Sequence, residues 1–345
     1  GGPYTNMVFP EAKPEEWLSC DQCTDCFKPA FNYRPKQSAQ YALAISNFES
    51  STESPQRYNF GFIASTDDHT ARPGTGYKQY ERRKMTVATG VKSKIWEYQY
   101  AAEDPNFPEI PKITPGESQP DSERVSSFVY PGGILAVHAE GRGKDEIWNA
   151  LKNKNVYGTS GPRILLWFDL INSPEGQVPM GSVITMSQNP RFIIKAAGSF
   201  KQNPGCSNES IDSLSSERLE YLCAGECNNP SNEREVIEKI EIIKITPQIY
   251  AGEAVSPLIQ DPWKSIPCQG SGECIVEFED QNFSRDSVYY VRAIQNPTPA
   301  INGSTLSKRG NFDLCKGSFR TNLKDDCLSM TNERAWSSPI YVNKP

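Results

Sequence analysis

The feature that most restricts the fold is a series of short apolar, β-branched segments after residue 163, separated by turn-rich loops. Such segments are typical of strands rather than helices. The expected strands are 163–171, 191–197, 237–246, 274–279, 288–294 and 338–342. One short helix is expected in "SIDSLSSERLEYLC", with Ser213 or Ser215 as its N-cap. Residues 163–345 are therefore predicted to form a β-rich, sandwich-like domain with long loops.

Cysteine usage adds a second restriction. The ten cysteines are Cys20, Cys23, Cys26, Cys206, Cys223, Cys227, Cys268, Cys274, Cys315 and Cys327. An even number in loop-like sequence indicates up to five disulfides and a periplasmic or extracellular location. The stretch "CDQCTDC" could instead hold a metal cluster, but that requires a fourth ligand, and no Cys or His neighbours it in sequence. Disulfides are the favoured interpretation.

The first half of the chain has a different character. Residues 1–35 are a Cys/Pro-rich segment, and residues 36–162 combine helix and strand patterns with a long polar excursion at 101–127. Helices are predicted in "KQSAQYALAISNFE" and "GKDEIWNALKNKN", the second with acidic residues early and lysines late. Strands are predicted in "YNFGFIAST" and "GGILAVHAE".

The net charge disfavours anionic partners, and the hydropathy disfavours a transmembrane segment. The net charge of −6 argues against nucleic acid or an anionic membrane surface as a ligand. No apolar run approaches the roughly 18–20 residues that a transmembrane helix needs, so no transmembrane segment is expected.

The candidate chemistry lies at two strand ends. Asp67 and His69 would share one face if 60–66 is a strand, because side chains repeat every second residue, and a carboxylate with an imidazole can bind a metal. His138 and Glu140 would share a face in the same way. Both patterns are weak. The alternatives are a surface loop with a capping Asp67, and a half-buried, hydrogen-bonded His138.

The chain lacks the residues of a complete enzyme site. It has only two histidines, and it contains no His-x-His, no HExxH, no G-x-S-x-G, no Walker loop and no Rossmann fingerprint. A catalytic zinc takes roughly three protein ligands, and a two-metal site needs more. Its residues alone therefore make this chain a poor candidate for a self-sufficient metalloenzyme.

Several segments together nevertheless resemble a known family. They are "FGFIASTDDHTARPGTG", "GGILAVHAEGRGKDEIWNALKNKNVYGTSGPRI", "VPMGS", "VYYVRAIQNPTPAING" and "ERAWSSPIYV". From about residue 31 onward the chain resembles the C-terminal half of the bacterial family labelled domain of unknown function 3604. That family is related to the PHP (polymerase and histidinol phosphatase) metal-dependent hydrolases.

The resemblance implies an α/β plus β architecture and a site. The fold would be the second half of a PHP-like distorted (β/α) barrel over residues 36–162, followed by the sandwich-like domain. Asp67 and His69 match the family's last metal ligands, for zinc, manganese or iron. His138 departs from the commoner Trp, whereas Glu140 matches, and both would line the catalytic site. Arg163 would clamp a small anionic substrate, or would alternatively be buried against a carbonyl-rich turn.

The departure from the family concerns the first half of the barrel, whose His-x-His strand is missing here. An isolated half barrel would expose apolar strands and an open sheet edge, so a second chain or N-terminal fragment completing the barrel is expected. The implied function is hydrolysis of phosphoesters through a metal-activated water, in a secreted or periplasmic protein. The alternative is a non-catalytic extracellular binding or structural protein, either a degenerate homologue or a component of a surface assembly.

Overall fold

The architecture is dominated by antiparallel strands. A computed structural model describes residues 18–19, 32–33, 38–48, 55–65, 133–223, 227–300 and 329–345. Its strands are β1 (Leu18–Ser19), β2 (Asn32–Tyr33), β3 (Ile134–Val137), β4 (Val156–Thr159), β5 (Leu165–Ser173), β6 (Gly176–Pro179), β7 (Val183–Thr185), β8 (Arg191–Ala197), β9 (Phe200–Pro204), β10 (Asn228–Arg234), β11 (Ile237–Ile245), β12 (Ile259–Pro267), β13 (Glu273–Glu279), β14 (Ser287–Ala300), β15 (Ser329–Ser337) and β16 (Ile340–Asn343). Its α-helices are α1 (Ala39–Ala44), α2 (Lys144–Lys152), α3 (Asn208–Ser213) and α4 (Ser216–Cys223).

Two sheets form the body of the protein. The larger has eight strands in the order β12-β11-β14-β15-β4-β3, with β16 pairing with both β14 and β7. The smaller has four strands in the order β13-β8-β5-β6. All these pairs are antiparallel except β7 with β16. Neither sheet closes into a barrel in the described part of the chain.

The two sheets pack face to face around one core. The strand sequences alternate, so every second side chain of β5, β8 and β13 points inward against β11, β14 and β16. The largest inward side chains form a chain of rings, in which Phe192 lies 5.3 Å from Phe168, 4.7 Å from Phe278 and 4.8 Å from Tyr289 between centroids. This arrangement confirms the predicted β-rich fold of the second half of the chain.

A third layer covers the outer face of the large sheet. Leu43 and Ala44 of α1 are buried there against Ile243 and Ile245 of β11, together with Phe60 and Phe62. Helix α1 begins at its Ser38 N-cap, whose hydroxyl accepts a hydrogen bond from the Tyr41 N–H. The predicted helix over 36–49 is thus confirmed, and it is shorter than the pattern suggested.

The six predicted strands of the second half are all present in the fold, with bounds shifted by a few residues. The two predicted helices of the first half correspond to α1 and α2. The expected single helix over 210–223 is instead two helices, α3 and α4, and the Ser215 hydroxyl accepts from the Arg218 N–H at the start of the second. Ser213 ends the first helix rather than capping the second.

The predicted strand over 60–66 is wrong for the residues that the structure describes. Residues 58–65 pair with no strand. Their backbone is held by side chains instead: the Tyr341 hydroxyl accepts from the Phe60 N–H at 2.9 Å and donates to the Phe60 carbonyl at 2.7 Å. The Ser338 hydroxyl accepts from the Phe62 N–H at 2.9 Å. The segment is extended because Phe60 and Phe62 are partly buried against the outer face of the large sheet, without a strand partner.

Two disulfides are present among the described residues, Cys206–Cys227 and Cys268–Cys274. The first joins the end of β9 to the start of β10, two antiparallel strands that are connected through α3 and α4. The second links the end of β12 to β13, which lie in different sheets. "CDQCTDC" lies outside the described residues. A disulfide-tied, β-rich fold is therefore established for the second half of the chain.

The predicted domain boundary between residues 162 and 163 does not separate two sheets, because strands on both sides of it belong to the eight-stranded sheet. Strands β3 and β4 lie N-terminal to residue 162 and form one end of the eight-stranded sheet. Strand β4 pairs there with β15 near the C-terminus, Thr159 opposite Ala335. The polar excursion at 101–127 lies outside the described residues.

Candidate functional site

The two predicted metal ligands, Asp67 and His69, both lie outside the described residues. The described chain stops two residues before Asp67, at Ser65. The neighbouring Ala64 lies against Gly158 of β4: a Cβ added there would be 2.8 Å from the Ala64 Cβ and 3.1 Å from its N. Glycine is therefore required at 158 by the close approach of this segment. Ser65, the last described residue before Asp67, thus follows Ala64 at this end of β4.

Arg163 lies near the same end of the β3–β4 pair. It follows β4 by four residues, in the turn that leads into β5, and its side chain is exposed. The neighbouring Ser160 is fixed to the sheet, because its hydroxyl donates to the Glu333 carboxylate and accepts from the Arg334 N–H at 2.9 Å. The exposed position of Arg163 does not match the buried alternative, and it leaves the guanidinium accessible to a ligand.

His138 and Glu140 follow the opposite end of β3. Ile134 is paired with Thr159 and Val137 with Val156, so the strand separates Ile134 from His138 by about 13 Å. Glu140 is exposed. The structure thus places Arg163 in the turn at the same end of the β3–β4 pair as Ala64, and His138 and Glu140 at the far end of that pair.

His138 itself forms part of the fold. Its imidazole is half-buried, and Nε2 lies 2.8 Å from the Leu166 carbonyl oxygen of β5. Nε2 must carry the proton to make this hydrogen bond, because a carbonyl only accepts. The ring also lies 5.3 Å from the Tyr157 ring and 5.7 Å from the Trp167 ring, between centroids. His138 therefore matches the half-buried, hydrogen-bonded alternative that its sequence pattern left open.

Tyr157 supports the same junction from the sheet side. Its side chain is buried, and its hydroxyl donates to the Ile164 carbonyl at 3.1 Å. Burial raises the pKa of this phenol to about 12. The phenol thus stays protonated at neutral pH and ties β4 to the start of β5.

Residues that the sequence did not single out surround His138 on the outer face of the small sheet. Trp167 is 40 % exposed, in a strand whose neighbouring residues Leu166 and Phe168 are fully buried. Two residues on, Asp169 accepts a hydrogen bond from Gln177 Nε2 at 2.8 Å. Burial raises the pKa of Asp169, although Gln177 and the nearby His138 act in the opposite direction. The alternation of β5 could have identified this face, because a large aromatic residue occupies an outward position.

A metal has no complete donor set in the described part of the chain. No group of three or more His, Cys, Asp or Glu side chains is close enough there to hold an ion. No helix among the described residues is long and apolar enough to cross a bilayer. A metal site of three such ligands would therefore need at least one ligand from outside the described residues.

Fold and disulfides define a β-sandwich protein with an additional outer layer and disulfide-tied loops. Comparison with known proteins then gives its family. The family described as "Protein of unknown function (DUF3604)" matches residues 48–204 and 265–344, more than half of the chain. The chain belongs to the DUF3604 family. No curated protein and no solved structure matched it.

Proposed function

We propose that the chain is the C-terminal part of a secreted or periplasmic metal-dependent hydrolase of the PHP type, acting on phosphoesters. Asp67 and His69 would be metal ligands, and a divalent zinc, manganese or iron would activate a water molecule for attack. Further ligands would come from a first half-barrel on a second chain or N-terminal fragment.

The observation that carries the proposal is that Ala64 and the turn holding Arg163 lie at the same end of the β3–β4 pair. Ala64 lies beside Gly158, three residues before Asp67 in sequence. The turn holding Arg163 leaves β4 directly after Thr159. An exposed guanidinium beside a metal site can bind a phosphate through two parallel hydrogen bonds, which a lysine cannot reproduce.

His138 and Glu140 have a supporting part in this proposal. The His138 ring fixes the edge of β5 through the Leu166 carbonyl, which orients the end of β3 from which Glu140 projects. Glu140 is exposed and can meet groups supplied by the completing chain.

The first test is metal content by elemental analysis of protein purified without chelator, with the intact mass of every chain in the sample. Stoichiometric metal together with a second, histidine-bearing chain is expected. Hydrolysis of p-nitrophenyl phosphate and its bis-ester should then be abolished in Asp67→Ala and His69→Ala, with loss of the metal. Asp145→Ala, which removes an exposed carboxylate from the first turn of α2, is the control and should retain both.

Arg163→Lys tests the anion contact separately. It should raise KM for the phosphoester roughly tenfold, because a point charge replaces a bidentate donor, and leave metal content unchanged. Arg142→Lys, on the loop before α2, is the matched control. A sample with neither metal nor a second chain would overturn the hydrolase.

A sample without metal and without a second chain would favour the second candidate, a non-catalytic extracellular binding or structural protein. The observation favouring it is that His138, one of the two histidines, is engaged in a hydrogen bond that holds two sheets together.

A further inference from the structure

The outer face of the four-stranded sheet carries an aromatic platform with fixed polar neighbours. Trp167 projects from this face, and its inward neighbours Leu166 and Phe168 are fully buried. Fully exposing a large aromatic side chain on a sheet is unfavourable, and tryptophan is enriched where a ligand or partner covers it. Packing against the His138 ring covers part of the indole, and 40 % of the residue stays exposed as an aromatic surface that the fold does not cover.

The Trp167 indole packs on one side against the His138 ring, which is held in place. The His138 ring lies 5.7 Å from the indole at an interplanar angle of 42°, and His138 is itself held by the Leu166 carbonyl. Strand β5 is paired with β8 on one side along this stretch, Trp167 opposite Lys195. The indole thus stands on a rigid strand with one neighbouring ring in place, so little ordering entropy would be lost on binding.

Hydrogen-bonding groups flank the indole on the same face. Asp169 lies two residues along β5, one repeat of the strand, and Gln177 of β6 holds its carboxylate at 2.8 Å. Lys195 lies directly across on β8. A carboxylate, an amide and an ammonium therefore surround one exposed aromatic ring.

The pattern of this face discriminates between kinds of ligand. Ile275, 65 % exposed, lies across β8 from Trp167 with Lys195 between them, and the partly buried Ile193 lies on β8 between Asp169 and Glu277. The apolar side chains of this face are thus interleaved with charged ones, whereas a protein partner would need a continuous apolar centre. The outward side chains carry more carboxylates than cations: Asp169, Glu273, Glu277 and Glu279 against Arg191 and Lys195. That excess disfavours nucleic acids and other anions.

We propose that Trp167, Asp169 and Gln177 form a binding subsite for a neutral pyranose sugar. The apolar C–H face of the sugar ring would stack on the indole, and its hydroxyls would hydrogen-bond to the Asp169 carboxylate and the Gln177 amide. This subsite lies outside the proposed Asp67 and Arg163 site and does not depend on a metal or on hydrolysis.

The test is isothermal titration calorimetry of the intact protein with cellohexaose, xylohexaose, mannohexaose, chitohexaose and hexagalacturonic acid. At least one neutral hexasaccharide should bind with a Kd of about 1 mM or tighter. Trp167→Ala should weaken it at least about tenfold, and Trp167→Phe, which preserves packing against His138, should weaken it less. Asp169→Asn should also weaken binding, since a charged acceptor is replaced by a neutral one.

Trp148 supplies the matched control. It is 63 % exposed on α2, so Trp148→Ala removes an even more accessible indole and should leave the sugar affinity unchanged. Absence of binding for every neutral hexasaccharide at about 1 mM would overturn the proposal, as would equal weakening by Trp148→Ala and Trp167→Ala. Preferential binding of hexagalacturonic acid would also contradict it. Each result is independent of metal content, so failure here leaves the hydrolase proposal untouched.

Discussion

The buried ion pair between Lys244 and Asp280 allows the packing of the sandwich to be tested. Lys244 lies on β11 and Asp280 directly after β13, and their side chains are only 10 % and 1 % exposed. The same Asp280 oxygen that binds the Lys244 ammonium accepts the Tyr289 hydroxyl, and the other oxygen accepts the Asn282 N–H at 3.1 Å. Both carboxylate oxygens are thus engaged, one by side chains of β11 and β14 and the other by the turn that follows β13.

Asp280→Asn keeps the shape of the side chain and removes its charge. The Lys244 ammonium then remains buried without a counterion, which costs about 3–5 kcal/mol of unfolding free energy. Lys244→Met should cost a similar amount, because it leaves the carboxylate unpaired. The double variant removes both charges, so we expect it to lose clearly less than the sum of the two single losses.

Urea unfolding followed by tryptophan fluorescence measures these losses. Trp263 is a suitable reporter, since its ring lies 5.2 Å from the Lys244 ammonium. The slope of the unfolding free energy against urea should stay constant among the variants, so that the midpoint reports stability. Losses that simply add in the double variant, or an Asp280→Asn loss below about 1 kcal/mol, would refute the picture of a mutually dependent buried pair.

Three further predictions concern other parts of the fold. Tyr157 has a folded-state pKa of about 12, above its ordinary value near 10, so its contribution to the unfolding free energy is complete below pH 10 and is lost as pH rises toward 12. In urea unfolding at alkaline pH, the stabilities of the wild type and Tyr157→Phe should therefore converge near pH 12, and a constant difference between them would contradict this. Gly198→Ala should prevent folding or cost several kcal/mol, because the new Cβ would lie 1.9 Å from the Glu235 carbonyl oxygen, and a wild-type-like melting temperature would disprove that contact. A Cys206→Ser, Cys227→Ser double variant should lose about 2–4 kcal/mol of unfolding free energy relative to the oxidised wild type, measured by thermal unfolding; an unchanged midpoint would mean that the β9–β10 pair is stable without its disulfide.

The strands that sequence could predict are those whose residues alternate or branch at Cβ. Strand β11, "IEKIEIIKI", is such a case, and its burial follows its pattern. Strand β15, "SMTNERAWS", was missed because it is polar, although Glu333 and Ser337 within it are fully buried. Their burial depends on partners distant in sequence, such as Ser160, which no local pattern reveals.

The segment at 58–65 shows the opposite error. Its aromatic residues indicate a strand, and Phe60 and Phe62 are indeed partly buried against the core. Whether a buried extended segment pairs with a neighbour is decided by tertiary contacts, here the Tyr341 and Ser338 hydroxyls.

The candidate site was predictable in part. The local pattern identified His138 but left open whether its side chain takes part in chemistry or in packing. Its hydrogen bond to the Leu166 carbonyl, which only the structure shows, supports the packing role. Trp167 was not singled out, because outward orientation follows from the register of β5 with β8 and not from the residue type.

The pairing of β4 with β15 has a consequence for how the protein is made. Thr159 meets Ala335, so β4 can pair with β15 only once residues 160–335 have been synthesised. At roughly 5–20 residues per second, that interval is on the order of ten seconds or more. During it, β3 and β4 are a two-stranded ribbon, which is marginally stable at best in water. Truncation before β15 should therefore destabilise β3 and β4 as well, because β15 joins these two strands to the rest of the large sheet.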